Sequence, residues 1–294
     1  MEQASKTRAF ALLILTFFIW GSLYVGGKVI ADDIPAPLVA CVRCIVSVFP
    51  LWMMAKKHRD VRIAPEDIKY FAAVGILGYY GTIFLIQMAI SLTGASTAAL
   101  INAMTPVAVT AFAVMILKEQ ITPVKLLCIG LALAGTWVVT AGSDGQSDTT
   151  GILLAVLSVL FWGLSSVFMR KLTARYPAIL VTAYGMMISL LLHIPTGIIS
   201  LVRAGDSIQL RPLTVLILLY LGLAGSGLAQ YTWTSALAIL PASLCSLFYP
   251  LQPIFSSILG FFILGERFTG YFFAGLALVS LDVVLSTMET MRQK

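Results

Sequence analysis

Apolar stretches of about twenty residues follow one another along almost the whole chain, with little polar sequence between them. Bilayer hydrocarbon is about 30 Å thick, and a helix that crosses it needs about 20 largely apolar residues. Inside that hydrocarbon every backbone N–H and C=O must find a partner within the protein, which restricts spanning structures to helices and closed barrels. Runs of this length suit helices. The spans read as residues 10–30, 36–55, 70–90, 97–117, 124–142, 151–169, 178–200, 212–237, 242–264 and 270–288. The expected fold class is an all-α integral membrane protein with ten transmembrane helices. Nine further runs follow the first, so that run reads as a retained helix and not as a removed leader.

Only 11% of the 294 residues are Asp, Glu, Lys or Arg, while 59% are hydrophobic. A soluble domain carries about 25% charged residues. The net charge of +6 would suit a polyanion, but its placement argues otherwise. With the amino end inside, the inner segments hold Lys6, Arg8, Lys56, Lys57, Arg59, Arg62, Lys69, Lys118, Lys125, Arg170, Lys171, Arg175, Arg292 and Lys294. The outer segments hold Lys28, Arg203, Arg211 and Arg267, and Arg43 lies within a span. That asymmetry follows the positive-inside bias. It predicts a multi-pass protein of the cytoplasmic (inner) membrane with both termini cytoplasmic, and no nucleic-acid partner. Cys41 and Cys44 form a C-x-x-C in an apolar helix with no second pair and no nearby His, so they read as small packing residues.

The chain also repeats itself. At an offset of 142 residues, FIWGSLYVGGK (18–28) falls on LFWGLSSVFMR (160–170), and Pro35 falls on Pro177. At an offset of 147, Gly75 and Gly78 meet Gly222 and Gly225, Ala95-Ser96 meets Ala242-Ser243, Pro106 meets Pro253, and Glu119 meets Glu266. GLAL at 130–133 then matches GLAL at 275–278. The expected domains are therefore two repeats, 1–145 and 146–294, each of five spans. Five is odd, so the second copy crosses in the opposite sense. Inverted repeats characterise secondary transporters, whose substrate site lies near the midplane between the halves. There is no G-x-x-x-x-G-K-[ST] phosphate loop, so no nucleotide cofactor is expected.

These residues resemble the drug/metabolite transporter superfamily, and within it the ten-span type with two EamA domains. The WG pairs at 20–21 and 162–163 carry the resemblance. So do TPVAVTAFAVMILKEQIT (105–122) and QPIFSSILGFFILGERFT (252–269), each running on into a GLAL helix. It covers essentially the whole chain. It implies a basket of ten helices around a central cavity and transport of small organic metabolites, often outward. The aromatic content places the aromatic and neutral amino acid exporters nearest. Asp282 departs from the family pattern, in which that stretch is usually glycine or apolar.

Polar groups in hydrocarbon are costly unless paired or facing a cavity. Arg43 reads either as a carboxylate anchor or as a residue held by a backbone carbonyl or hydroxyl. Asp282 reads either as a proton or cation coupling site or as a similarly satisfied structural acid. His193, beside Pro195, reads as a hydrogen-bonded structural histidine. Pro106 and Pro253 each remove a backbone hydrogen bond and kink their spans, and freed carbonyls persist only where protein or a wet cavity satisfies them. Asn102 and Tyr249 stand one turn earlier, and Thr105 and Gln252 match likewise. An amide and a phenol there suit either a polar metabolite or bonding between helices. Trp20, Tyr24, Tyr79, Tyr80, Trp162, Tyr231 and Trp233 lie too deep for an interfacial belt, with Ser165 and Ser166 at the same level. Tyr79 and Tyr80 are about 100° apart around the helix, so only one faces inward.

The expected function is a secondary transporter or uniporter for amphipathic solutes such as amino acids, sufficient as a monomer. Proton antiport, sodium coupling and facilitated diffusion all fit. The KEQ and GER corners after the fourth and ninth spans read as turns held by ion pairs. An intramembrane enzyme would need clustered acids, a His pair or metal ligands near one face. A channel would need charged rings or carbonyl filters. Neither pattern is visible.

Overall fold

The computed structural model describes residues 2–58, 60–93, 101–102, 104–140, 149–205 and 208–264, with 273–274, 277–278, 280–281, 284–285 and 288. Among these the regular structure is helical throughout. The helices are α1 (Glu2–Val29), α2 (Ala36–Ala55), α3 (68–93), α4 (Thr105–Leu117), α5 (Pro123–Thr140), α6 (Thr149–Thr173), α7 (Ala178–Ala204), α8 (Pro212–Leu237), α9 (Ala242–Ser246) and α10 (Leu251–Leu264). Among the described residues six stretches are long and apolar enough to cross a bilayer: Ala4–Gly27, Ala36–His58, Pro65–Ile86, Thr149–Thr173, Ala178–Ala204 and Pro212–Leu237. The protein is an all-α integral membrane protein. Of the expected fourth span, α4 begins at Thr105, and residues 97–100 and 103 fall outside the described set. The ninth is divided between α9 and α10, and most of the tenth lies outside.

Proline punctuates the chain where helices begin. Pro35, Pro177 and Pro241 precede α2, α7 and α9, and Pro123 and Pro212 open α5 and α8. At a first turn the missing N–H has no carbonyl to meet and the ring holds φ near its helical value, so proline starts a helix without breaking one. Pro106 and Pro253 follow the same rule. Pro106 sits in the first turn of α4, after Met104 at φ −77° and ψ 0°. Around it the bonds tighten to i→i−3, as Met104 N–H to the Ile101 carbonyl and Val107 N–H to the Met104 carbonyl, both 3.0 Å. The same happens before Pro253, where Leu247, Phe248, Tyr249, Leu251 and Gln252 all donate to the residue three back. The expected kinks are thus breaks, in which a short helix ends and a new one starts.

Sequence periodicity did not announce a second irregularity. Val74–Gly81 in α3 and Leu221–Leu228 in α8 are π-helical. The two stretches lie 147 residues apart, the offset of the sequence repeat. Wide turns of this kind displace carbonyls from their usual partners. Here Thr82 Oγ1 donates to the Leu77 carbonyl (3.1 Å) and His193 Nε2–H to the Tyr79 carbonyl (3.3 Å).

Packing repeats with the sequence. A Cβ added at Gly75 would stand 2.7 Å from Ile188, and one at Gly222 would stand 2.6 Å from Val46. One at Gly78 would meet Ser165 at 2.8 Å, and one at Gly225 would meet Leu23 at 2.6 Å. Ile188 and Val46 are repeat partners at the offset of 142, as are Ser165 and Leu23. Gly21 against Phe255 and Gly163 against Ala108 form a third such pair. Contacts that occur twice, with the partners' roles exchanged, are what a two-fold interface generates. Each half sets its Gly-rich third helix against the first two helices of the other half.

The two ends of the bundle are tied by polar clusters. At one end the Asp67 carboxylate accepts from Tyr176 Oη (2.8 Å) and Arg175 Nη1 (3.1 Å), and Arg170 Nη1 donates to the Leu237 carbonyl at 2.6 Å. The hydrogen bonds that the Arg175 guanidinium donates to Glu66 and Asp67 hold it above its ordinary pKa. At the other end Thr214 Oγ1 donates to Asp33, and Arg211 lies 3.5 Å from the same carboxylate. Between the ends, large apolar side chains such as Phe49, Met115, Val202 and Phe262 point outward. That surface suits lipid, not water.

Candidate functional site

Trp20 meets its own repeat partner in the sequence, Trp162. The rings of Trp20 on α1 and Trp162 on α6 are 5.7 Å apart at their centroids. Trp233 of α8 closes a triangle, 5.7 Å from Trp20 and 6.2 Å from Trp162. Tyr249, in the turn between α9 and α10, lies 5.7 Å from Trp233 and 6.1 Å from Trp20. Phe17 fills the space among them, 4.9 Å from Tyr249 and 5.4 Å from Trp20. Tyr79 reaches Trp162 from the far side at 6.4 Å. The geometry is mostly tilted or edge-to-face, as ring quadrupoles prefer. All six side chains are buried.

Several buried polar atoms, two of them on the rings of this cluster, are unusual. The indole N–H groups of Trp162 and Trp233 are buried and have no hydrogen-bond partner among the described residues, nor do the hydroxyls of Thr110, Ser165 and Ser166 or Oε1 of Gln230. An unpaired buried donor or acceptor costs about 1–3 kcal/mol. An indole nitrogen can only donate, so Trp162 and Trp233 call for an acceptor that the described residues do not supply. Elsewhere the buried groups are paired: Thr16 with Thr232 at 2.6 Å, Ser189 with the Met186 carbonyl at 2.9 Å, and Thr234 with the Gln230 carbonyl at 2.8 Å.

Among the residues expected from sequence, Trp20, Trp162, Trp233 and Tyr249 converge, with Tyr79 on their flank. Tyr80 turns away, as the 100° rule requires, toward Phe84 (5.9 Å) and His193 (5.0 Å). Ser165 presses on Gly78; its hydroxyl belongs to the crossing of α6 and α3. Arg43 donates from Nε to Ser226 Oγ at 3.2 Å, joining α2 to the π-helical part of α8. Asn102 and Gln252 flank their two breaks. The Asn102 carbonyl accepts from Thr105 Oγ1 at 2.5 Å, and Gln252 presents its carbonyl to Gly21. The Tyr24 side chain and Asp282 lie outside the described residues. Among the described residues no cluster of three His, Cys, Asp or Glu could hold a metal ion.

One ring of the cluster has no place among the residues expected from sequence. Phe17 stands three residues before Trp20 and so shares its helix face, a signal that periodicity carries. Thr110 and Gln230 had no such signal, since one Thr or Gln in an apolar helix looks alike whether paired or not. The corner at Glu119 is also corrected. Its carboxylate accepts from the Ala242 N–H (2.8 Å), the Ser243 N–H (3.2 Å) and Ser243 Oγ (2.5 Å). The reason is local: α9 has five residues and Pro241 before it gives no side-chain cap, so its first amides take a distant carboxylate. The corner that delivers Glu119 turns on Lys118, at φ 56°.

The arrangement can be set beside known proteins. The EamA-like transporter family matches residues 7–141 and again 149–288. The chain belongs to that family. An uncharacterized transporter of Clostridium kluyveri is 24% identical over 88% of this chain and 86% of its own. The uncharacterized transporter YvbV of Bacillus subtilis is 24% identical over 100% and 96%, and YcxC of the same organism is 28% identical over 98% and 96%. A solved crystal structure, 18% identical, superposes with a TM-score of 0.82 over 96% of this chain and 98% of that one. That likeness speaks for the fold alone. This EamA-family chain is a multi-pass membrane protein whose relatives are named as uncharacterized transporters.

Proposed function

We propose that this EamA-family protein is a secondary transporter or uniporter of small amphipathic metabolites, aromatic and neutral amino acids foremost, moving them out of the cell by alternating access. In this reading the chain crosses the inner membrane ten times with both termini cytoplasmic. Residues 1–145 and 146–294 form two inverted five-helix repeats around a central cavity. The basic end that holds Arg170, Lys171 and Arg175 faces the cytoplasm, in keeping with the positive-inside bias.

One observation carries the substrate class. Three indoles and a phenol, with two unpartnered indole N–H groups, meet where the halves meet. π faces accept an aromatic or aliphatic side chain, and donors without acceptors favour a carboxylate or carbonyl. Parting the rings to admit such a solute replaces ring–ring contact with ring–solute contact and supplies the missing acceptor. Asn102 and Gln252, at the paired breaks, would complete the polar side. Asp282 and Arg43 stand as candidate coupling and anchoring groups.

Counterflow in proteoliposomes tests this. Vesicles preloaded with unlabelled solute are offered labelled tryptophan, phenylalanine, leucine, a nucleoside or a cationic drug, with and without a pH gradient. Saturable exchange of an aromatic or neutral amino acid is expected. Exchange confined to the nucleoside or the drug would remove the substrate assignment, and non-saturable flux without counterflow would remove the carrier mechanism.

A further inference from the structure

One polar contact between the two halves has no part in the aromatic cluster. Glu119 belongs to the α4–α5 corner of the first half, and Ala242 and Ser243 open α9 in the second. Three hydrogen bonds of 2.5–3.2 Å span that junction. Lys125 Nζ adds a fourth, to Ser243 Oγ at 3.0 Å, and holds the corner itself through the Gln120 carbonyl at 2.9 Å. Both Glu119 oxygens are used, and a carboxylate on backbone amides makes about the strongest kind of neutral-to-charged hydrogen bond. Helix caps normally come from within a turn of the helix they serve. This one comes from 123 residues away, so it joins two bodies as well as capping one.

What it holds is mechanically distinct. Behind α9 the chain runs through the 3₁₀-like turn of 247–250, whose bonds are all i→i−3. Short stretches of that geometry mark hinges. Tyr249 of the aromatic cluster sits in this turn, six residues beyond Ser243. A five-residue helix that is anchored at its first amides and hinged at its last residue can swing only when the anchor lets go.

We propose that Glu119 is the latch of the cytoplasmic gate: its bonds to Ala242 and Ser243 keep α9 closed over the route from the cytoplasm to the aromatic cluster, and their release frees α9 to turn about residues 247–250. This rests on the alternating-access reading above, but not on any particular substrate.

Cys245 reports on the latch. It is fully buried, two residues past Ser243, while Cys44 is buried at the α2–α7 contact. Inside-out membrane vesicles holding the intact protein are exposed to a membrane-impermeant maleimide, and labelling of each cysteine is quantified by peptide mass spectrometry. Glu119→Ala should raise the Cys245 labelling rate about tenfold and Ser243→Ala about threefold, in the order of bonds lost, with Cys44 unchanged. Glu119→Gln, which keeps one acceptor oxygen, should fall between wild type and Glu119→Ala. A Cys245 rate that stays at the wild-type value in Glu119→Ala overturns the proposal. A Cys44 rate that rises in step with Cys245 also overturns it, because the carboxylate is then a structural cap whose loss loosens the whole bundle. Should Glu119→Ala fail to insert, the Ser243→Ala rates decide by the same criteria. No solute is added, so this result stands apart from the counterflow assay.

Discussion

At the end of the bundle that carries Glu119 and Asp67, both oxygens of the first carboxylate accept bonds, and the second takes a phenol and a guanidinium. Midway along the helices two indole N–H groups and three hydroxyls are buried with no partner among the described residues. Both regions lie where the halves meet, yet one is saturated and the other is not. Saturation stabilises a fixed contact, and a buried donor left without an acceptor costs about 1–3 kcal/mol. The difference separates a region shaped to close from a region shaped to receive.

Substitutions can break or sharpen this contrast. Trp162→Ala removes a ring that touches Trp20, Trp233 and Tyr79. It should lower amino acid counterflow about 100-fold, the scale of a central aromatic anchor, whereas Asp67→Ala should leave flux per inserted molecule within about threefold of wild type. Equal losses in the two variants would erase the distinction. In detergent, Asp67→Ala should lower stability by about 2 kcal/mol, because Tyr176 Oη is left buried without its acceptor; an unchanged melting temperature would make that end a mere surface. Trp233→Phe keeps a ring and deletes an unpartnered N–H. Flux should fall about tenfold with no loss of thermal stability, and full flux would mean that the nitrogen meets no solute. The smallest effect is Ser165→Ala, which removes an orphan hydroxyl pressed on Gly78. The protein should become more stable by about 1 kcal/mol at unchanged flux. A loss of flux there would return Ser165 to the binding surface.

How much was legible in advance differs between these regions. Trp20, Trp162 and Trp233 stood out because deep tryptophans are out of place among lipid-facing residues, and the repeat aligned the first two. Ser165 was grouped with them by depth alone, and depth does not say which way a side chain faces. The π-helical turns shift that facing within α3 and α8, and no hydrophobic pattern marks them beyond a pair of glycines. Glu119 was read as a corner residue because its acceptors are backbone amides, which every sequence possesses and none advertises.

By itself the sequence determined that the chain is helical and bilayer-embedded, that it is built twice over, and which aromatic residues lie deep. These follow from segment length, hydrophobicity and recurrence, which are properties of the chain read in order. Only the tertiary structure decided that Trp20 meets Trp162, that Gly75 and Gly222 make exchanged contacts, and that a carboxylate in one half holds α9 of the other. Such contacts join residues more than a hundred positions apart, and the energy that selects them comes from packing and partner geometry, which local sequence does not encode.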